Sequence, residues 1–331
     1  MFSMKPKCLF FLLLLSVAGF AQDPHFTQFG VAPFTVNPAY AGVFNGKARV
    51  LSNYRQQWAN LVDPFVTTNL AADVKLGAYE EEGYLQHPLN MGIQFMQDKS
   101  MAGAFKSNYI GLTGSYHVRL DEADHQSFGV GLTVNYGSRR IDLADISFDQ
   151  QFTSGGFNLG LPNGEAALQN MKPFFSIGAG ALFKVNDPLT GTYFDVGFAG
   201  YHLNRPVQTI MSDPHQYIPI RWSGQVGFQK YINETNLINI KALYQNQAQT
   251  NYLLTGFSVA KLFGDNNENM VGAGIWYRTG DSFSPQVFFE FLDMQVGLTY
   301  DITHNNLKRN ISPASSFEMS LQWRIGGTLR Q

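Results

Sequence analysis

Seven histidines are dispersed along the chain, at His25, His87, His117, His125, His202, His215 and His304. No pair has the helical spacing that sets two metal ligands on one face. His202 and His215 flank a predicted loop with Asp213 nearby, a faint outline of Ser-His-Asp chemistry that reads better as solvated loop residues. The acidic run Asp265-Asn266-Asn267-Glu268 lacks the glycine and distal glutamate of a calcium loop. Gly178-Ala179-Gly180 falls inside a predicted strand, with no helix behind it to hold a phosphate. The expectation is therefore a protein without catalytic residues, cofactor or metal. The remaining chemistry is charge: Arg119, Arg221, Arg324, Glu318 and Asp301 fall on the polar faces of predicted strands. There they would pair and stiffen a wall more readily than tune a pore.

Composition narrows what could position such residues. Apolar residues make up 44% of the 331 positions and aromatic residues 14%, while charged residues reach only 15%, against about 25% in ordinary globular chains. The net charge of −2 gives no electrostatic basis for nucleic acid as a partner. Residues 1–21 read as a signal peptide: Lys5 and Lys7 precede the apolar run Leu9 to Leu15, and Gly19 and Ala21 form a small-x-small cleavage site before Gln22. The single cysteine, Cys8, lies within that leader, so the expected mature chain has no disulfide and no thiolate ligand.

Beyond the leader, segment after segment alternates with period 2. Ile110, Leu112, Tyr116, Val118 and Leu120 oppose Gly111, Thr113, Ser115, His117 and Arg119. Phe128 to Tyr136 and Met294 to Ile302 repeat the pattern, and Phe317, Met319, Leu321, Trp323 and Ile325 close it. The segments are longer than soluble strands, and aromatic residues gather toward their ends, as membrane interfaces require. No later apolar run is long enough for a membrane helix, so a span must be made by a closed barrel. Counting predicts an all-β transmembrane antiparallel barrel of about fourteen strands over residues 46–331, with long connections at one end and short turns at the other. That parity predicts a bacterial outer-membrane location with both termini periplasmic. The long connection 139–170, with Arg139, Arg140, Phe148, Phe152 and Phe157, reads as an irregular loop with a binding role.

Residues 22–45 precede the first strand. Pro24, Pro33 and Pro38 remove ladder donors, Asn37-Pro38 starts a turn, and Ala39, Ala41 and Gly42 permit close backbone approach. Phe26, Phe29, Phe34 and Tyr40 would be costly to leave in water. The segment must either plug the lumen or present a periplasmic surface.

The order Gln22-Asp23-Pro24-His25-Phe26-Thr27-Gln28, then Asn37-Pro38-Ala39-Tyr40-Ala41-Gly42, then Arg55-Gln56-Gln57-Trp58 resembles the PorP/SprF family. The resemblance implies an outer-membrane component of the type IX secretion system, none of whose relatives is a recognised enzyme. Implied partners are periplasmic ring subunits and a large secreted or surface-anchored adhesin, including those of gliding motility, with outer-membrane lipid around the wall. On this reading Gln22, Asp23, Pro24, Phe26 and Gln28 contact a partner on the periplasmic side. Asn37, Pro38 and Gly42 set the geometry, and Arg55 and Trp58 lock the outer end of the first strand. A passive diffusion channel for small solutes is the competing function.

Overall fold

The computed structural model describes residues 23–59, 63–76, 89–121, 125–142, 148–158, 160–162, 171–208, 216–304 and 315–326. The predicted leader and Gln22 lie outside them, as do Asp213 and His215. Each period-2 segment forms one strand. The first seven are β1 (Ala48–Gln57), β2 (Phe65–Lys75), β3 (Leu89–Ser100), β4 (Phe105–Arg119), β5 (Gln126–Ile141), β6 (Phe174–Asp187) and β7 (Thr192–Tyr201). The remainder are β8 (Arg221–Tyr231), β9 (Asn236–Gln247), β10 (Thr250–Phe263), β11 (Asn269–Arg278), β12 (Ser282–Phe291), β13 (Met294–Thr303) and β14 (Ser315–Ile325).

Every strand pairs antiparallel with its sequence neighbours, and β14 returns to β1 in the register Ala48↔Ile325 to Gln56↔Phe317, closing a barrel of fourteen strands. The apolar face points outward: Leu112 is 59% and Leu132 63% exposed, a wall that lipid and not water must cover. The polar face is buried inside, where Thr113 donates to the Thr133 hydroxyl at 3.0 Å. Between β12 and β13 the chain reverses through Leu292 and Asp293, both at positive φ, 46° and 66°, as a two-residue hairpin turn matching the strand twist requires.

The strand ends that flank connections 58–64, 101–104, 142–173, 202–220 and 304–314 lie at one rim, and those that flank the generally shorter connections after even-numbered strands lie at the other. Two expectations are corrected here. Arg139 and Arg140 belong to β5, which continues to Ile141, because a strand projecting beyond lipid no longer needs apolar residues outward. The loop that follows is not wholly irregular: Phe152–Thr153 pairs with Gly156–Phe157 in a small ribbon whose two phenylalanines meet edge to face at 5.0 Å.

Residues 23–44 take no place in the wall. They run down the lumen through three short 3-10 turns, Phe29–Val31, Pro33–Thr35 and Pro38–Tyr40, each closed by its own backbone hydrogen bond. The segment is thus a lumen plug rather than a periplasmic surface. Asp23 bonds residues at the long-loop ends of β8 and β9, whereas Ile325 stands at the short-turn rim. The first and last described residues therefore stand at opposite rims.

Candidate functional site

The plug is held at three levels, beginning at the long-loop rim. The Asp23 carboxylate lies 2.7 Å from His202 Nε2 and 3.4 Å from Arg221 Nε, while its backbone N–H donates to Gln247 at 3.0 Å. Burial alone would push the Asp23 carboxyl up, but the charges of His202 and Arg221 outweigh it and hold it below the ordinary carboxylate range. His202 Nδ1 is 2.7 Å from Ser176 Oγ, so Ser176, His202 and Asp23 stand in the order of a hydrolytic triad. Ser176 is 1% exposed and the adjoining cavity holds about 40 Å³, too small for an acyl substrate. The geometry suits a latch on the first residues of the plug. Pro24 lines the same cavity.

One level down, the backbone N–H groups of Thr27 and Gln28 both donate to the Glu318 carboxylate at 2.8 Å. Arg55 donates to Glu318 at 3.0 Å, to Asp301 at 2.6 Å and to the Thr27 hydroxyl at 2.9 Å. Arg278 reaches the same hydroxyl at 2.9 Å and Asp281 at 3.0 Å. Charge-assisted bonds in such a dry site are strong and directional, and removing one member leaves others buried and unpaired. The Gln28 side chain accepts from Gln286 at 3.0 Å and Ser320 at 2.7 Å, and donates to the carbonyls of Gly297 and Glu318. His25 lies against Tyr252; burial, followed by the charges of Arg278 and Arg55, pushes its pKa well below the ordinary value.

The aromatic residues fill the space between. Phe26 and Phe34 are each 2% exposed. Phe29 meets Trp276 edge-on at 5.5 Å and packs with Val36, Leu243 and Leu254. Phe34 packs with Ala41, Leu51 and Ala71. Each buried ring is worth about 1.5–3 kcal/mol relative to exposure.

At mid-depth Asn37 caps the third turn: its Oδ1 accepts from Ala39 N–H at 2.9 Å, and its Nδ2 donates to the carbonyls of Ala181 at 2.9 Å and Phe198 at 3.4 Å. The wall makes room with glycine. A Cβ on Gly180 would stand 2.1 Å from Asn37 Oδ1, and one on Gly131 2.3 Å from Ala39 N, beside Pro38. Lower still, Tyr40 donates its hydroxyl to Asp195, and burial with the Asp195 charge pushes that phenol well up. Gly42, at φ +76°, donates its N–H to Asp73 at 2.8 Å, and Asp73 also holds Arg49 at 2.9 Å. A cavity of about 230 Å³ remains in this lower half, lined by Phe29, Tyr40, Arg49 and Lys241 among others.

The structure therefore gathers Asp23, Pro24, Phe26, Gln28, Asn37, Pro38, Gly42 and Arg55 in one lumenal assembly. Trp58 is not part of it: it stands half-buried at the long-loop rim at φ 59°, edge-on to Phe65 at 5.2 Å. The inward charges pair, but largely with the plug and with strand neighbours: Arg221 with Asp23, Glu318 and Asp301 with Arg55, Arg324 with Glu290. Arg119 instead ends exposed near the short-turn rim. Sequence reasoning missed Asp73, Asp195 and Arg278, and read Gly180 only as a failed phosphate loop. The glycine-rich inward face was the available signal. Among the described residues no cluster of His, Cys, Asp and Glu is placed to hold a metal.

A family model described as type IX secretion system membrane protein PorP/SprF matches residues 18–323. The chain belongs to the PorP/SprF family. It is an outer-membrane β-barrel of the type IX secretion system. No curated protein matches it by sequence. Among solved structures it is similar to the Pseudomonas putida toluene transporter TodX, at 9% identity and a TM-score of 0.48, over 92% of this chain and 94% of that one. It is similar also to the Acinetobacter baumannii outer membrane protein Omp33, at 10% identity and a TM-score of 0.41, over 85% and 99% of the two chains. The KdgM porin matches at 6% identity and a TM-score of 0.39, over 84% and 99%.

Proposed function

We propose that this PorP/SprF barrel is a closed docking platform. It binds a large exported protein, adhesin-like in character, for secretion or anchoring at the cell surface, gliding adhesins included. Docking takes place at the long-loop rim, and periplasmic ring subunits of the same system meet the short-turn rim. What supports this reading over solute diffusion is the plug: residues 23–44 occupy the lumen and spend their polar groups on the wall, from Asp23 at one rim to Gly42 near the other.

Asp23, Pro24, Phe26 and Gln28 then serve the partner indirectly, by fixing the plug that shapes the docking rim. The Ser176–His202–Asp23 chain is a latch, and the protein is not an enzyme. The exposed rings of Phe152 and Phe157 offer the apolar contact that a protein partner would cover. Deleting the gene and profiling the secreted and surface-exposed proteins tests the reading. Loss of one or a few large type IX substrates is the expected result; an unchanged profile would overturn it.

A further inference from the structure

The outward faces of β3, β4 and β5 change character in ordered rows toward the long-loop rim. One row, Phe95, Ile110 and Tyr136, lies side by side across the three strands, with Phe95↔Ile110 and Ile110↔Tyr136 directly paired. These residues are 39%, 48% and 39% exposed, so they face lipid. Two residues further along each strand, on the same face, stand Gln97, Asn108 and Ser138. Two residues beyond those stand Lys99, Lys106 and Arg140, again directly paired as Lys99↔Lys106 and Lys106↔Arg140.

Four residues of strand separate the apolar row from the basic one, about 13 Å along the chain. For strands tilted as membrane barrels are, that is roughly 10 Å along the membrane normal. The step carries the surface from the acyl region into the headgroup layer.

Like charges placed directly opposite on neighbouring strands repel at a Cβ separation of about 5 Å. None of the three cations forms an ion pair among the described residues. The acidic neighbour Asp98 belongs to the inward face, where it accepts from Thr67 at 2.6 Å. Asp142 lies past the end of β5. Such a row needs an external anion, and its height fixes which one is at hand.

We propose that Lys99, Lys106 and Arg140 bind the phosphate groups of a phosphorylated glycolipid in the leaflet at the long-loop rim. Arg140 supplies a planar fork for two phosphate oxygens, and the two lysines supply point charges beside it. The apolar row beneath receives the acyl chains. The site deepens the docking reading, since a bound lipid would tie down the projecting ends of β3 to β5, the last of which carries the long connection 142–173. It rests on that reading only for which rim faces the glycolipid leaflet.

The full-length barrel in detergent is titrated with bis-phosphorylated lipid A and with the same lipid after phosphatase treatment, and bound lipid is counted by native mass spectrometry. The wild type is expected to prefer the phosphorylated form. The triple variant Lys99→Gln, Lys106→Gln, Arg140→Gln is expected to lose on the order of a hundredfold in affinity, about fivefold per cation. It should also lose the preference between the two lipids. Lys230→Gln with Lys261→Gln, on strands near the opposite rim, is expected to leave the titration unchanged. Equal binding of both lipids by the wild type, or a triple variant that binds as the wild type does, would overturn the proposal. The heat-dependent gel shift of a folded barrel verifies each variant. If the triple does not fold, Lys106→Gln at the centre of the row must weaken binding about fivefold by itself, and an unchanged affinity overturns the proposal. Protein-partner capture is measured separately, so loss of one leaves the other readable.

Discussion

Replacing Glu318 with alanine should release the plug while leaving the wall standing. Glu318 is 0% exposed and accepts from the N–H groups of Thr27 and Gln28, each at 2.8 Å, and from Arg55 at 3.0 Å. Its loss leaves two buried backbone donors without acceptors, at about 1–3 kcal/mol each. It also takes one of the two carboxylates from a buried Arg55, a kind of break that costs about 3–5 kcal/mol. The contributions overlap, because Arg55 keeps Asp301 at 2.6 Å and the Thr27 hydroxyl at 2.9 Å. A combined weakening of about 3–5 kcal/mol follows, equivalent to a shift of roughly two to three and a half decades in the opening equilibrium. Hydrogen exchange read by mass spectrometry on the folded barrel resolves it. Protection of the Thr27 and Gln28 amides should fall by about a hundredfold or more, while the ladder amides of β1 and β14 hold. Protection at Thr27 and Gln28 within tenfold of the wild type would refute the argument that this carboxylate anchors the segment.

Asn37→Ala removes the cap on the third turn and both side-chain bonds to the carbonyls of Ala181 and Phe198. It should reduce protection around Ala39 to Ala41 by a factor corresponding to about 2 kcal/mol, and unchanged exchange there would contradict the assigned role. Acid should loosen the plug through His25, whose pKa in place lies well below the ordinary 6.5. The released state binds the extra proton, so this stabilisation is complete above pH 6.5 and declines as pH falls below it. Asp23 is shifted the other way relative to its charged form: its carboxylate is favoured in place, so its contribution fades only below about pH 4. His25→Gln should therefore flatten the exchange profile between pH 7.5 and 5, and a persistent slope would rule His25 out as its source. In planar bilayers the pure wild-type barrel should give no steady conductance steps, and deletion of residues 23–44 should open them. Steady steps from the wild type would favour the diffusion channel.

The wall was legible because lipid imposes a strict rule: within the membrane each outward position must be apolar and each inward one can be polar, as in Ile110 to Leu120. The rule lapses where lipid ends, which is why Arg139 and Arg140 read as loop although they are strand. The plug was legible only as a segment that cannot join the sheet, from its prolines and its phenylalanines. Its path was not, since Thr27 and Gln28 find their acceptor about 290 residues later in Glu318, and no local pattern encodes such a pairing. Arg55 was picked out by resemblance to a motif, and its reason emerges only when Asp301 and Glu318 come beside it. Asn37 was read as a turn starter, which it is. The glycines that let it dock, Gly131 and Gly180, stand directly opposite each other on β5 and β6, strands that are separated in sequence by the connection 142–173. Trp58 sits three residues from Arg55 on the sequence and yet outside the assembly, because it lies past the end of β1, at positive φ, where the chain turns away along the rim.

The most direct test of a docking barrel is affinity purification of the tagged protein from native outer membranes in mild detergent, followed by mass spectrometry of what accompanies it. A closed platform of the type IX system predicts recovery, in near-stoichiometric amount, of a large exported protein or of periplasmic ring subunits, and a loss of that partner when Phe152 and Phe157 are replaced by serine. A barrel recovered alone, from membranes in which it is folded and abundant, would contradict the account.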